Sequence, residues 1–345
     1  MDDMHFGQTP EGQEIEQFRL SNSHGTFVDI LTLGAIVRRF CVVTQDKQQR
    51  DIVLGFDDAE SYFSNEHYLG CVVGRYANRI HKGSFSIGNN KYQADINQAG
   101  NCLHGGSNGF NKRVWKVKNV SSQQLRLSLF SEDGDQGFPG NLNLEVTYML
   151  SDDNELIIHY QANSDKATVF NPTQHSYFNL DGHQADSIKE HKLHIHANHV
   201  LEVNENGIPS GHLKTVPGTD FDFNQEATLS NSLTSGDPLI VQAKGLDHNW
   251  CLADNSIDKT CARLTSSTND LALEVKTTMP GLQIYTANFL SLDNGKDGCE
   301  YKPHQAICLE TQFYPDSPNQ EEFPSALLRE GDVFRSETRY KVTVH

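Results

Sequence analysis

Short alternating runs of apolar and polar residues dominate this chain. In LNLEVTYML, the residues Leu142, Leu144, Val146, Tyr148 and Leu150 fall on one face of an extended segment, and in ELIIHY the residues Leu156, Ile158 and Tyr160 do the same. The intervening SDDN is a turn, so the two runs predict a hairpin. LRLSLF at 125–130, LALEV at 271–275 and YKVTV at 340–344 repeat the alternation. Gly, Asn and Asp interrupt at short intervals, as in SIGNNKY and SEDGDQG. This rhythm predicts an all-β chain folded as a large antiparallel β-sandwich. Helical signals are few and short. One is DDAESYF at 57–63. The other is FPSALLREG at 323–331, with Pro324 placed for a first turn and Gly331 as a stop. The long loops at 204–223 and 230–245 contain apolar residues and are expected to pack. No repeat or low-complexity linker divides the chain, so residues 1–345 read as one domain.

Composition narrows the partners. The 345 residues are 37% hydrophobic and 21% charged, enough to build a core. The net charge of −17 repels phosphate backbones and anionic lipid, which argues against nucleic acid and membrane surfaces. The start, MDDMHFGQTPEGQE, has no apolar stretch of the secretory kind, and no run approaches the ~20 apolar residues of a membrane span. Cys41, Cys71, Cys102, Cys251, Cys261, Cys299 and Cys308 are scattered without a CxxC pair. They read as reduced thiols of a cytoplasmic protein rather than a disulfide or zinc framework. Monomer and homodimer are both open.

Candidate chemistry concentrates in two segments. NPTQHSYFNL, read as a strand after Pro172, puts Thr173, His175, Tyr177 and Asn179 on one face. In AICLETQFYPDSPN, Glu310 follows an apolar run and shares a face with Cys308 and Gln312. Histidine and carboxylate are the usual pair for moving protons at neutral pH, and burial of a carboxyl makes it a better base. A satisfied core histidine and a structural ion pair are the alternatives. NCLHGGSNGF sets His104 before two glycines, which allow close approach of backbone to a ligand. RYANRI supplies Arg75, Asn78 and Arg79, GLDHNWCL supplies Asp247 beside Trp250, and PGLQIYTANFL puts Gln283 and Tyr285 on one face. Such donors, acceptors and aromatic faces suit a sugar, although each could equally be surface or core. HKLHIHANH carries His191, His194, His196 and His199, which invites a metal reading. The interleaved Leu193, Ile195 and Ala197 make these histidines the polar face of a strand, so neither a metal nor another cofactor is expected.

Taken in order, GRYANRI, LHGG, NPTQHSYFNL, GLDHNWCL, PGLQIYTANFL and LETQFYPDSPN resemble the signature series of the aldose 1-epimerases, the galactose mutarotases. VLEVNENGIPSG and VPGTDFDF are similar to the family's central loops, and the likeness runs from about Gly25 to Val344. The resemblance implies a supersandwich fold and interconversion of the α and β anomers of free aldoses such as galactose and glucose. It implies His175 as general acid and Glu310 as general base, with Asn78, Arg79, His104, Tyr177, Asp247 and Gln283 binding sugar. The chain departs from the family at Tyr76, where a small aliphatic residue is common, and at Leu328-Arg329-Glu330-Gly331, where LRPG is common.

Anomerisation removes a proton from O1 and adds one to the ring oxygen O5, so it needs one acid and one base and no metal or nucleotide. Phe178, Trp250 or Tyr285 are candidates for a dry wall. A glycoside hydrolase would need two carboxylates. A hexose-6-phosphate mutarotase would need cations, for which Arg75, Arg79 and Lys82 are available. A non-catalytic sugar-binding protein is the third alternative.

Overall fold

The structure is a computed structural model that describes residues 4–64 and 66–345. The first three residues of the acidic N-terminal stretch lie outside them. The hairpin read from LNLEVTYML and ELIIHY is the strand pair Leu142–Leu150 and Glu155–Ser164, in register from Leu142 opposite Ser164 to Leu150 opposite Leu156. It lies within a nine-stranded sheet. The order there is Lys116–Val120, Gln124–Ser131, Leu142–Leu150, Glu155–Ser164, Val333–Val344, Leu271–Thr277, Ala262–Thr265, Lys192–Ile195 and Ala227–Thr228. A second sheet has six strands in the order Tyr177–Phe178, Ile307–Gln312, Gly281–Tyr285, Asp247–Leu252, Ala197–Val203 and Pro209–Thr215. A third, of five strands, runs in sequence from Met4–Gln8 to Gln49–Asp51.

Period two drives the inner faces into a common core. Leu127, Val146, Tyr148 and Ile158 from the nine-stranded sheet join Trp250, Leu282, Ile284, Ile307 and Leu309 from the six-stranded one. Each such side chain contributes roughly 1.5–3 kcal/mol by leaving water. The other face of the six-stranded sheet is also covered. Tyr177 and Cys308 join Leu31, Leu54, Tyr62, Cys71 and Tyr301 in a second core. Burial on both sides explains why no residue of Ile307–Gln312 is exposed, including Glu310.

Several local expectations change. NPTQHSYFNL is two short strands, Thr173–Gln174 and Tyr177–Phe178, interrupted at His175. The break is satisfied by 70–71: His175 N–H donates to Cys71 O at 2.8 Å, and Gly70 N–H donates to His175 O at 2.9 Å. FPSALLREG is not helical. Leu327–Leu328 pairs with Thr168–Val169 as a short strand. Extension sends Ala326 and Leu328 into two different cores, and this tertiary pairing outweighs helix propensity. The helix read from DDAESYF exists as Ala59–Ser64, and Asp58 accepts from Ser61 N–H at 2.8 Å. The stretch read as a loop at 230–245 holds the helix Pro238–Ala243, capped by Asp237. HKLHIHANH crosses from one sheet to the other at His196, and its one buried histidine, His191, accepts from Leu180 N–H at 3.1 Å. No helix among the described residues is long and apolar enough to cross a membrane.

Candidate active site

The six-stranded sheet brings the two chemical segments together. Tyr177 lies opposite Cys308, Gln283 opposite Glu310, and Asp247 opposite Tyr285. Tyr177, Glu310, Tyr285 and Asp247 face one side of this sheet, and with His175, at the break before Tyr177, they line one cavity of about 300 Å³. That volume is at the lower end of the range for small-molecule pockets. A larger groove of about 870 Å³ runs along the outer face of the nine-stranded sheet past Lys116, Lys118, Ser128, Phe130 and Glu145. It is lined by none of the residues that could carry acid–base chemistry in the signature segments.

Asn171 holds three segments in place around the cavity. Its amide donates to Ala77 O at 3.2 Å and its carbonyl accepts from Phe313 N–H at 2.8 Å. Tyr76, a departure from the resembled family, ties the same segments: its hydroxyl donates to Tyr314 O at 2.9 Å and accepts from Ser317 N–H at 3.0 Å. Asn78 and His104 clasp each other across backbone turns with φ of 62° and 52°. Asn78 N–H donates to His104 Nδ1, and His104 N–H donates to Asn78 O, both at 3.1 Å. Gly105 follows with φ of 88°, and a Cβ there would lie 2.0 Å from Gly74 O, so only glycine fits.

His175 Nε2 lies 3.5 Å from Glu310 Oε1, with both side chains buried. The His104 ring meets the His175 ring edge-on at 5.2 Å, and Tyr68 covers His104 at 4.6 Å. Arg79 donates to Gln98 Oε1 at 3.0 Å and stands 3.9 Å from Asp247 Oδ2. Burial dominates the electrostatics. It raises the Glu310 carboxyl well above its usual range, helped by the nearby Asp247 charge. Burial also lowers His175 to about 4 and His104 well below 6.5. Burial thus disfavours the charged form of both partners.

The aldose 1-epimerase family model matches residues 16–341. Galactose mutarotase of Homo sapiens is 40% identical over 341 residues, covering 98% of this chain and 97% of the relative. Aldose 1-epimerase of Escherichia coli K12 is 39% identical over 335 residues, covering 96% of each. The chain belongs to the aldose 1-epimerase family. Among solved structures, an aldose epimerase homologue from C. elegans superposes with a TM-score of 0.89 at 30% identity, covering 95% of this chain and 98% of that one. Galactose 1-epimerase from Lactobacillus acidophilus gives 0.86 at 29%, covering 99% and 98%. The supersandwich architecture of the family is thus the architecture here.

Of the residues singled out in the sequence, Asn78, Arg79, His104, His175, Tyr177, Asp247 and Glu310 line the cavity. Gln283 stands behind it, donating to Asp247 Oδ1 at 2.7 Å. Trp250 and Phe178 belong to the inner core, so of the three candidate wall aromatics only Tyr285 lines the cavity. Tyr68 and Phe289 complete the aromatic lining. Neither was singled out in the sequence, although Phe289 lies within PGLQIYTANFL, because each reaches the cavity from a loop beyond the strands. Arg75 is buried and donates to Ser131 O, Glu132 O, Pro139 O and Gly140 O, so it holds loops together and has no donor for a ligand on those nitrogens.

His104, His175 and Glu310 each offer one potential metal-ligand atom within 4.8 Å of the others. The donor set does not fit a metal. Asn78 N–H occupies the Nδ1 lone pair of His104, so the neutral ring carries its proton on Nε2. A ligating His needs the opposite arrangement, with its outer nitrogen donating away from the ion. His104 is built to donate a hydrogen bond into the cavity.

Proposed function

We propose that the protein interconverts the α and β anomers of free hexoses such as D-galactose and D-glucose, with Glu310 as the base at O1 and His175 as the acid at O5. The carrying observation is the 3.5 Å approach of His175 Nε2 and Glu310 Oε1 inside a cavity of about 300 Å³. O1 and O5 are bonded to the same carbon, so acid and base must reach two atoms separated by one carbon. Glu310 removes the O1 proton. The O1 electrons form the carbonyl, the C1–O5 bond breaks toward O5, and His175 delivers a proton there. Rotation about C1–C2 presents the other carbonyl face, and closure returns both protons.

The burial-driven shifts favour these transfers once the reactive charge state forms. A carboxylate whose pKa is raised is a stronger base, and an imidazolium whose pKa is lowered is a stronger acid. Because both forms of the pair contain one proton, reaching that state moves a proton within the pair and draws none from solvent. His104 Nε2–H and the Arg79 guanidinium are donors for charge building on sugar oxygen. Asp247, held by Gln283, accepts from sugar hydroxyls.

The phosphosugar alternative is weakened by the same cavity. Arg75 is spent on carbonyls, Lys82 does not line the pocket, and Glu66 does. That leaves Arg79 as the one Lys or Arg among the described lining residues. A single domain is supported by a core running from Phe18 to Val342. A reducing, cytoplasmic location is consistent with seven unpaired cysteines, six of them buried.

Polarimetry on freshly dissolved α-D-galactose tests the function. The protein should accelerate the approach to equilibrium rotation, and galactose 6-phosphate should react much more slowly. A rate equal to that of buffer alone would exclude it.

A further inference from the structure

The His175 ring is held by one strand at both of its nitrogens. Glu310 Oε1 faces Nε2 at 3.5 Å, and Cys308 Sγ faces Nδ1 at 3.7 Å. Cys308 and Glu310 are two residues apart on Ile307–Gln312, so they project to the same side and bracket the imidazole. Cys308 is fully buried and lies directly opposite Tyr177, the neighbour of the ring on its own chain segment. Burial and the nearby Glu310 and Asp247 charges push its thiol well above 9, so the sulfur stays a neutral S–H at working pH.

We propose that Cys308 is a positioning residue for the acid step, its sulfur accepting the Nδ1–H of His175 so that Nε2 is the nitrogen that exchanges protons with the sugar. The inference rests on the acid role given to His175 above. An imidazolium that donates from Nε2 becomes the neutral Nδ1–H tautomer, which needs an acceptor on its far side throughout the cycle. Histidines that act as bases commonly have a carboxylate in this position, and the carboxylate stabilises the imidazolium. A thiol sulfur is a weak, uncharged acceptor. It orients the ring without stabilising its charged form, so the imidazolium remains a ready donor. The partner's weakness is the functional point: a stronger acceptor would hold the same tautomer and make a poorer acid.

Three variants and a spectroscopic readout test this. Imidazole nitrogen-15 spectra, with His175 assigned by difference from His175→Asn, report which ring nitrogen carries the proton. Wild type should show the Nδ1–H tautomer of neutral His175. Cys308→Ala and Cys308→Val remove the acceptor. Both should shift the ring toward the Nε2–H tautomer and lower kcat about fivefold to tenfold, the scale of one hydrogen bond. Cys308→Ser restores an acceptor of similar size and should recover the tautomer, with the acid limb of the pH–rate profile moved upward. Valine keeps the core filled if alanine proves unstable. Removal variants with wild-type spectra overturn the proposal, whether kcat is retained or lost, because a loss of kcat alone would show only packing. If wild type itself fails to catalyse mutarotation while the tautomer responds as described, the proposed function fails and the placement of the ring stands.

Discussion

Lys296 and Asp51 form one buried ion pair, with Nζ 2.6 Å from Oδ2, and His175 and Glu310 form another pair, with Nε2 3.5 Å from Oε1. The first is closed. Lys296 Nζ also donates to Arg38 O at 2.9 Å and Val53 O at 2.7 Å, so three oxygens surround the ammonium group. It clips the turn at Lys296–Gly298 onto the N-terminal sheet. The second pair is open. Glu310 Oε2 is buried and has no hydrogen-bond partner, and the contact to His175 is longer. Equal burial therefore serves two ends. A pair whose ammonium group is tied to two backbone carbonyls holds backbone in place, whereas one that faces a cavity keeps bonding capacity for a ligand that can supply it. The two arginines of GRYANRI repeat the contrast, with the terminal nitrogens of Arg75 taken up by carbonyls and Arg79 facing the cavity.

If that distinction is right, mutations at the two pairs should separate activity from stability. The largest effect is expected at the open pair. Glu310→Gln and His175→Asn should each reduce kcat by about 10²–10⁴-fold in polarimetry, with thermal midpoints close to wild type. Near-wild-type rates in either variant would remove it from the acid–base assignment.

Extremes of pH should act on the same pair. Activity requires one proton shared between His175 and Glu310. Acidification protonates His175 while Glu310 still holds its proton, so the base is lost and kcat/KM falls below about 4. Alkaline pH removes the proton that Glu310 holds well above its usual range, so the acid is lost. A bell-shaped profile is expected, and Glu310→Gln should abolish its alkaline limb. A flat profile between the two limits and beyond them would contradict a shared proton.

At the closed pair the effect should be on folding. Lys296→Met leaves the Asp51 charge buried and unpaired, which destabilises by about 3–5 kcal/mol. Chemical denaturation should show that loss, while kcat per folded molecule at low temperature stays within a few-fold of wild type. A large loss of kcat with unchanged stability would mean the two regions are not separable.

The smallest effects belong to the sugar anchors. Asp247→Ala should raise KM about tenfold with a lesser effect on kcat, as expected for a contact made equally in ground and transition states. Gln283→Met should give a weaker version, because it acts by donating to Asp247 at 2.7 Å. Steady-state kinetics in which Gln283→Met exceeds Asp247→Ala would place Gln283 in direct contact with substrate.

Much of this was legible in the residues. Alternation at 142–150 and 156–160 is a local property of the chain, and the hairpin follows from it. Six ordered motifs sufficed to mark His104, His175 and Glu310. What alternation does not report is the neighbour that each face meets. Trp250 and Asp247 sit on one strand, yet the indole enters the inner core and the carboxylate enters the cavity. FPSALLREG has the marks of a helix, but pairing with Thr168–Val169 leaves it extended. Tyr68 and Phe289 line the cavity from loops whose course is set by distant contacts.

By itself, the sequence determined the strand content, the family and the candidates for a proton-moving pair, because these depend on local periodicity and on residue types in order. Only the tertiary structure decided that Gln283 acts behind Asp247, that Arg75 is structural, and that a cysteine stands at the second nitrogen of His175. Those roles depend on contacts between segments distant in sequence, from 36 residues for Gln283 and Asp247 to 133 for His175 and Cys308. Burial then tunes the pair, because removing water from both partners disfavours their charged forms.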